Sequence, residues 1–138
     1  MYLVDTNIWL ERLLDQERST EAGGFLTLIP AEELLVSDFT LHSIGVVLDR
    51  LGQRAVFPRF VDDLFVQGGI ELVAVQPEDM HHVVDVMDRF GLDFDDGYQY
   101  VAAEQLDAVV VSFDGDFDRT DRGRRTPAEI LTSPDAQT

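Results

Sequence analysis

Tyr2-Leu3-Val4-Asp5-Thr6-Asn7-Ile8-Trp9-Leu10-Glu11-Arg12-Leu13-Leu14 opens the chain, and its reading decides the fold. A short apolar run that ends in an acid and a turn, then passes into helical periodicity, describes a buried parallel strand over 2–5 feeding a helix over 7–15. In open α/β sheets, ligands bind outside the carboxyl ends of such strands. An ionised carboxylate there is costly to desolvate unless a cation or hydrogen-bond donors compensate it. Asp5 is therefore a signal for metal or phosphate chemistry, although many strands end in nothing more than a solvated aspartate.

The same grammar recurs downstream. Leu34-Leu35-Val36 ends at Ser37 and predicts a second strand, followed by a helix from about Phe39 to Leu51 that Gly52 stops. Phe57, Phe60, Val61, Leu64 and Phe65 share one face of a helix over 55–67. Gly68-Gly69 breaks it, and Ile70 to Val75 alternates as a strand. Pro77 opens a helix reaching Phe90, with Gly91 as its stop, and a further helix runs from about Asp95 to Gln105. Ala108-Val109-Val110-Val111 is the most convincing buried strand after the first. Strands alternating with helices predict a three-layer α/β/α sandwich around a parallel sheet. No linker or repeat divides the chain, so residues 1–133 read as a single domain with a polar tail over 134–138.

Composition narrows the chemistry. The 138 residues are 45% hydrophobic and lack cysteine, which excludes disulfides and thiolate metal sites. No stretch is apolar enough to span a bilayer and no signal peptide precedes the first strand, so the expected location is the cytoplasm. Asp and Glu total 27 against ten basic residues, for a net charge of −17, and all ten are arginine. A chain without lysine has no P-loop and forms no Schiff base. Such an acidic surface suits either a high-salt cytoplasm or a basic partner.

Three acidic groups fall at inferred strand ends or helix starts: Asp5, then Asp93-Phe94-Asp95-Asp96, then Asp114-Gly115-Asp116 after Ser112-Phe113. Helix capping alone accounts for either later cluster. It accounts much less readily for all three meeting at one edge of a parallel sheet. Several hard oxygen ligands without His or Cys suit Mg²⁺ or Mn²⁺. Such ions in turn suit phosphodiester hydrolysis, activating water and shielding charge on the leaving oxygen.

Val4-Asp5-Thr6-Asn7, Leu92-Asp93-Phe94-Asp95-Asp96-Gly97-Tyr98-Gln99-Tyr100-Val101-Ala102-Ala103, Val110-Val111-Ser112-Phe113-Asp114-Gly115-Asp116-Phe117 and Thr126-Pro127-Ala128-Glu129-Ile130-Leu131 follow one another along about the whole chain. In that order and spacing the sequence resembles the PIN-domain ribonucleases, and among them the VapC-like toxins of toxin–antitoxin pairs. The resemblance implies Mg²⁺- or Mn²⁺-dependent cleavage of RNA, with Asp5, Asp96 and Asp114 as the catalytic acids and metal ligands and Asp116 beside them. It implies that Thr6, Asn7, Ser37 and Ser112 hydrogen-bond the ligands or the attacking water. It also implies a homodimer, through the helices at 39–51 and 55–67, and a small antitoxin protein docked nearby. One departure stands out. The family's glutamate six residues after the serine ending strand two is here Ser43, and a hydroxyl is a poor substitute for a carboxylate. The alternative is therefore a PIN-fold protein that binds RNA or a partner without cleaving.

The arginines are uneven, with Arg119, Arg122, Arg124 and Arg125 lying within seven residues. They read either as a phosphate-contacting strip for RNA or as partners of Asp116, Asp118 and Asp121. Arg12, on the first helix, is a further candidate to face the scissile phosphate or to neutralise the acids. His42 sits beside Ser43, and His81 and His82 point about 100° apart on their helix and cannot chelate one ion together. A haloacid-dehalogenase-type phosphatase needs DxD after strand one and a later lysine, and this chain has Asn7 and no lysine. A receiver domain fails on the same missing lysine. No G-x-S-x-G turn supports a serine hydrolase.

Overall fold

The computed structural model describes residues 1–132, so the tail expected at 134–138 lies outside them. Four short strands form one parallel sheet: β1 (Tyr2–Val4), β2 (Leu34–Ser37), β3 (Glu71–Val73) and β4 (Val109–Val111). Their order across the sheet is β3-β2-β1-β4. Tyr2 is in register with Leu34 on one side and Val109 on the other, and Leu35 with Glu71. The helices are α1 (Thr6–Leu13), α2 (Ser19–Leu28), α3 (Asp38–Arg50), α4 (Val56–Val61), α5 (Met80–Phe90), α6 (Phe94–Gln105) and α7 (Pro127–Leu131).

The period-two alternation of strand side chains builds a separate core on each face of the sheet. Leu3, Leu35 and Val110 pack with Val83, Val86, Tyr100 and Val101 beneath α5 and α6. Val4, Leu34, Val36 and Val111 point the other way, into Ile8, Trp9, Phe25, Ile44 and Leu48 from α1, α2 and α3. This is the three-layer sandwich that the alternation of strands and helices predicts. Among the described residues no helix is long and apolar enough to cross a membrane.

The strand order has a consequence for ligands. The crossovers leading from β1 to β2 and from β2 to β3 use helices on one face, whereas α5 and α6 carry the chain back across the opposite face to β4. The connections therefore diverge between β1 and β4, which makes the carboxyl ends of these two strands the sheet's switch point. The outer edge of β4 is closed by the returning chain: Arg125 N–H donates to Val110 O at 2.9 Å and Ser112 N–H donates to Arg125 O at 3.1 Å.

Several boundaries differ from those the sequence predicts. Asp5 ends the first strand as the cap of α1, and Pro77–Asp79 form a 3₁₀ turn before α5. The helix expected over 55–67 is α4 followed by a π-helical turn at Asp62–Val66. Helix α2 is not anticipated by the sequence reading, and Gly23-Gly24 in its middle opposes helix formation. Both glycines sit where neighbouring groups approach closely. A Cβ on Gly23 would lie 3.1 Å from the Arg12 guanidinium, and one on Gly24 would lie 3.4 Å from Leu131. Tertiary packing against α1 and α7 thus outweighs the roughly 1 kcal/mol per glycine that helix propensity opposes. A Cβ on Gly97, in α6, would come within 2.7 Å of Met87 on α5, so these two helices also meet at a glycine.

Candidate active site

Asp5 leaves β1 with its N–H bonded to Val111 O at 2.9 Å, which fixes the backbone of the acid to the neighbouring strand. It then turns to cap α1. Its carboxylate is buried and held by three donors. Oδ1 accepts from Thr6 N–H at 2.8 Å and Gln99 Nε2 at 2.9 Å, and Oδ2 accepts from the Ser112 hydroxyl at 2.7 Å. These bonds lower the Asp5 pKa, but burial is the larger influence and Asp114 adds to it, so the net direction is upward.

Asp96 arrives from the opposite face of the sheet. Asp93 caps α6 by accepting from Asp96 N–H at 2.9 Å, which sets the first turn and directs Asp96 inward. Asp96 is only 7% exposed, and its Oδ2 is buried with no hydrogen-bond partner among the described residues. Burial, then the charge of Asp114 and a hydrogen bond shared with it, then Asp93 and Asp5, push its pKa up to about 8. Asp114 leaves β4 through a bond from its N–H to Ser112 Oγ at 2.9 Å, and its Oδ1 accepts from Asp116 N–H at 2.9 Å.

Asp5, Thr6, Asn7, Ser43, Asp93, Asp95, Asp96 and Asp114 thus line one cavity of about 340 Å³ at the switch point. Burial and the charge of Asp93 raise the pKa of Asp95 as well. Carboxylate oxygens of Asp96, Asp114 and Asp116 lie within 4.8 Å of one another, a spacing that one cation can bridge. The donor set is all oxygen and strongly anionic, and it includes a buried oxygen without a donor. Both properties fit a hard divalent cation.

The smaller side chains act mainly on the acids. The Ser112 hydroxyl, besides holding Asp5, accepts from Asn7 Nδ2 at 3.1 Å. Thr6 reaches Asp5 through its backbone, while its hydroxyl meets that of Thr40 at 3.0 Å. Ser37 lies one step further out, donating to Gln99 Oε1 and accepting from Thr40 N–H. Ser43 reaches the cavity wall beside Phe39. His42 is exposed and lines a different groove, with Leu41, Gly45 and Phe57.

Two residues that sequence reasoning did not single out join this network. Gln99 is fully buried and bonds Ser37, Thr40 and Asp5 together. Its signal was its place three residues after Asp96, one turn along the same helix. Thr40 stands three residues after the cap Ser37, where its N–H is the group the cap accepts.

None of the five arginine candidates lines the cavity. Arg12 lies along α2, with Nη1 3.4 Å from Ser19 Oγ. Arg119 donates to Gly91 O at 2.8 Å and approaches Asp116 at 3.5 Å. Arg122 pairs with Asp107 at 3.0 Å, and Arg124 pairs with Asp118 and donates to Ser112 O at 3.1 Å. Asp121 is paired instead with Arg89, at 2.9 Å. Arg125 reaches Glu129 O at 3.4 Å.

Sheet order and the carboxylate cavity at its switch point define an α/β protein whose candidate site is acidic and built from separate elements. The sequence matches the PIN domain family model over residues 2–123, and the chain belongs to that family. No curated protein is significantly similar to it in sequence. Solved structures share the fold. A chain of the FitAB complex bound to a DNA fragment superposes with a TM-score of 0.79 at 17% identity, covering 92% of this chain and 95% of that one. A toxin–antitoxin complex from Klebsiella pneumoniae gives 0.73 at 17% identity, over 92% and 98%. A sarcin–ricin-loop-cleaving VapC toxin of Mycobacterium tuberculosis gives 0.73 at 16% identity, over 86% and 93%.

Proposed function

We propose that the chain is a Mg²⁺- or Mn²⁺-dependent endoribonuclease and the toxin of a cytoplasmic toxin–antitoxin pair. The observation that carries this reading is the unpartnered, buried Oδ2 of Asp96 within a group of carboxylates. Like charges in a desolvated site repel, and among the described residues no arginine pairs with Asp5, Asp96 or Asp114. A divalent cation resolves that conflict and supplies the chemistry of phosphodiester hydrolysis, a water made acidic and a leaving oxygen shielded.

Asp96, Asp114 and Asp116 would hold the ion, with Asp5, which lines the same cavity as Asp96 and Asp114, as a further ligand. Gln99 and the Ser112 hydroxyl keep the Asp5 carboxylate in one orientation, a role that commonly matters 10–100-fold for affinity or activity. The family and the toxin–antitoxin complex among the structural neighbours support the toxin role and an antitoxin partner; a homodimer is part of the same proposal. The direct test is single-turnover cleavage of a short RNA across a Mg²⁺ and Mn²⁺ series. Cleavage that persists in EDTA, or in the Asp5→Asn variant, would sink the reading.

A second reading rests on Ser43. It lines the cavity where a family glutamate is expected, and its hydroxyl offers no charge. On this reading the protein keeps the fold and binds RNA or a partner without cleaving. Ser43→Glu separates the two. Wild type inactive at every metal concentration, with activity appearing in Ser43→Glu, supports the binding-only reading. Wild type already active at sub-millimolar Mg²⁺ refutes it.

A further inference from the structure

Arg89 and Arg18 each stack on an aromatic ring, and Arg18 is the one whose ring, Phe113, adjoins the cavity-lining Asp114 in the chain. The Arg18 guanidinium lies over the Phe113 ring, 4.7 Å from the centroid, and among the described residues it forms no ion pair. Five arginines are ion-paired among the described residues, Arg54, Arg89, Arg119, Arg122 and Arg124, and Arg18 is one of those left without such a pair. Glu11 accepts from the Arg18 backbone N–H at 3.0 Å.

Phe113 is a firm base for that cation. It sits between Ser112, which holds Asp5, and Asp114, which lines the acid cavity. Its N–H donates to Asn7 Oδ1 at 3.2 Å, and its ring packs against the core on the side of α1 and α2. The ring is half-buried and Arg18 is exposed, so the outer face of the guanidinium is open to solvent. A planar cation stacked on an aromatic presents two recognition elements at once. Its face accepts a nucleobase, and its edge donates to a phosphate.

We propose that the Arg18–Phe113 stack is the nucleotide-binding platform beside the acid cavity, taking an unpaired base of single-stranded RNA and the phosphate attached to it. The assignment rests on the ribonuclease reading and extends it to how substrate is held. A strongly acidic cavity repels the phosphodiester backbone, and a cation held on the ring that precedes Asp114 in the chain, outside the cavity lining, offsets that repulsion. The recognised form is single-stranded, because a base must leave its helical stack to lie on a guanidinium or a ring.

The test uses the full chain in an Asp96→Asn background, which stops cleavage and leaves the platform intact. Binding of a labelled single-stranded RNA of about ten nucleotides is measured against the same sequence as a duplex. Arg18→Ala should weaken single-strand binding about tenfold, the loss expected for one stacked base. Arg18→Lys should recover only part of the loss, since an ammonium keeps the charge but not the plane. Phe113→Leu should match Arg18→Ala, while the Mg²⁺-induced rise in Tm of otherwise wild-type protein stays unchanged by Arg18→Ala. Arg54→Ala, whose partner is Asp49 at 2.6 Å on the exposed surface, is the control. RNA binding by the parent that Arg18→Ala leaves within twofold overturns the platform alone. Full rescue by lysine overturns stacking. A parent protein that binds no RNA at all overturns the platform and the ribonuclease reading together.

Discussion

Two acidic regions of this molecule treat charge in opposite ways. Around residues 107–121, aspartates are exposed and answered by arginines: Asp107 by Arg122, Asp118 by Arg124, Asp121 by Arg89. At the carboxyl ends of β1 and β4, Asp5 and Asp96 are buried and pair with no arginine among the described residues. Exposed pairs are weak, about 0–1 kcal/mol each. The buried acids are held by neutral donors, or in the case of Asp96 Oδ2 by none. Charge is compensated where compensation matters least and left open where it matters most. That inversion distinguishes a site from a surface on a chain where acids are everywhere.

The contrast breaks most sharply if the buried acids can be neutralised without loss. Asp96→Asn should reduce metal-dependent RNA cleavage by about a hundredfold or more, because it removes a charge that a cation must balance. The same change should raise the Tm of metal-free protein at pH 8 by roughly 2–5 °C, since it also removes a buried repulsion. A variant that is both active and no more stable would mean that Asp96 is ordinary. Gln99→Leu probes the donors instead. It strips one hydrogen bond from Asp5 and leaves Ser37 and Thr40 short of a partner. A destabilisation of about 2 kcal/mol is expected by denaturant titration. Mg²⁺ affinity, read from thermal shifts, should weaken about tenfold or more.

A smaller effect concerns pH. Asp96 is raised from 3.8 to about 8 in the folded chain, and Asp5 is raised as well. Between those values the native state keeps a proton that the unfolded state has released, so stability falls as pH rises from about 4 to about 8. Metal-free protein should therefore melt at progressively lower temperature from pH 5 to pH 8. Mg²⁺ should flatten the slope, as should Asp96→Asn. An equal slope in that variant would assign the effect to surface repulsion. Smallest of all, Arg89→Ala should change stability by no more than about 1 kcal/mol, because its pair with Asp121 is exposed on both sides. A larger loss would show that the exposed pairs carry weight after all.

The features legible in the sequence share a cause. β1, β2 and β4 are short apolar runs, buried except at the first residue of β1 and β4, and each ends at a polar residue, Asp5, Ser37 or Ser112, that lies at or just past the last strand residue. A period of two and an abrupt polar stop are local properties. The convergence of Asp5, Asp96 and Asp114 follows from strand order, and the alternation of elements was enough to suggest it. What escaped was set by contacts distant along the chain. Gly23-Gly24 opposes helix formation until Arg12 and Leu131 are seen pressing on it. Gln99 is one more polar helix residue until its three partners, 59 to 94 positions away, surround it. The arginines 119–125 looked alike in sequence, and only their neighbours separate ties to the chain's own carboxylates and carbonyls from open charge.

The glycine at position 97 gives the site a mechanical dimension. It stands next to Asp96, and its bare Cα lets α6 settle against Met87 on α5. The depth to which that helix seats therefore sets how far the Asp96 carboxylate reaches toward Asp114. Gly97 works like a shim of zero thickness. A methyl group there would have to displace the Met87 side chain or lift α6, and lifting α6 would widen the gap between the acids. The spacing of the carboxylates is in this sense adjusted from the back of the helix, by residues that do not line the cavity. Variation in α5 at Met87 is then a route by which the geometry of the acids drifts while every acid stays in place.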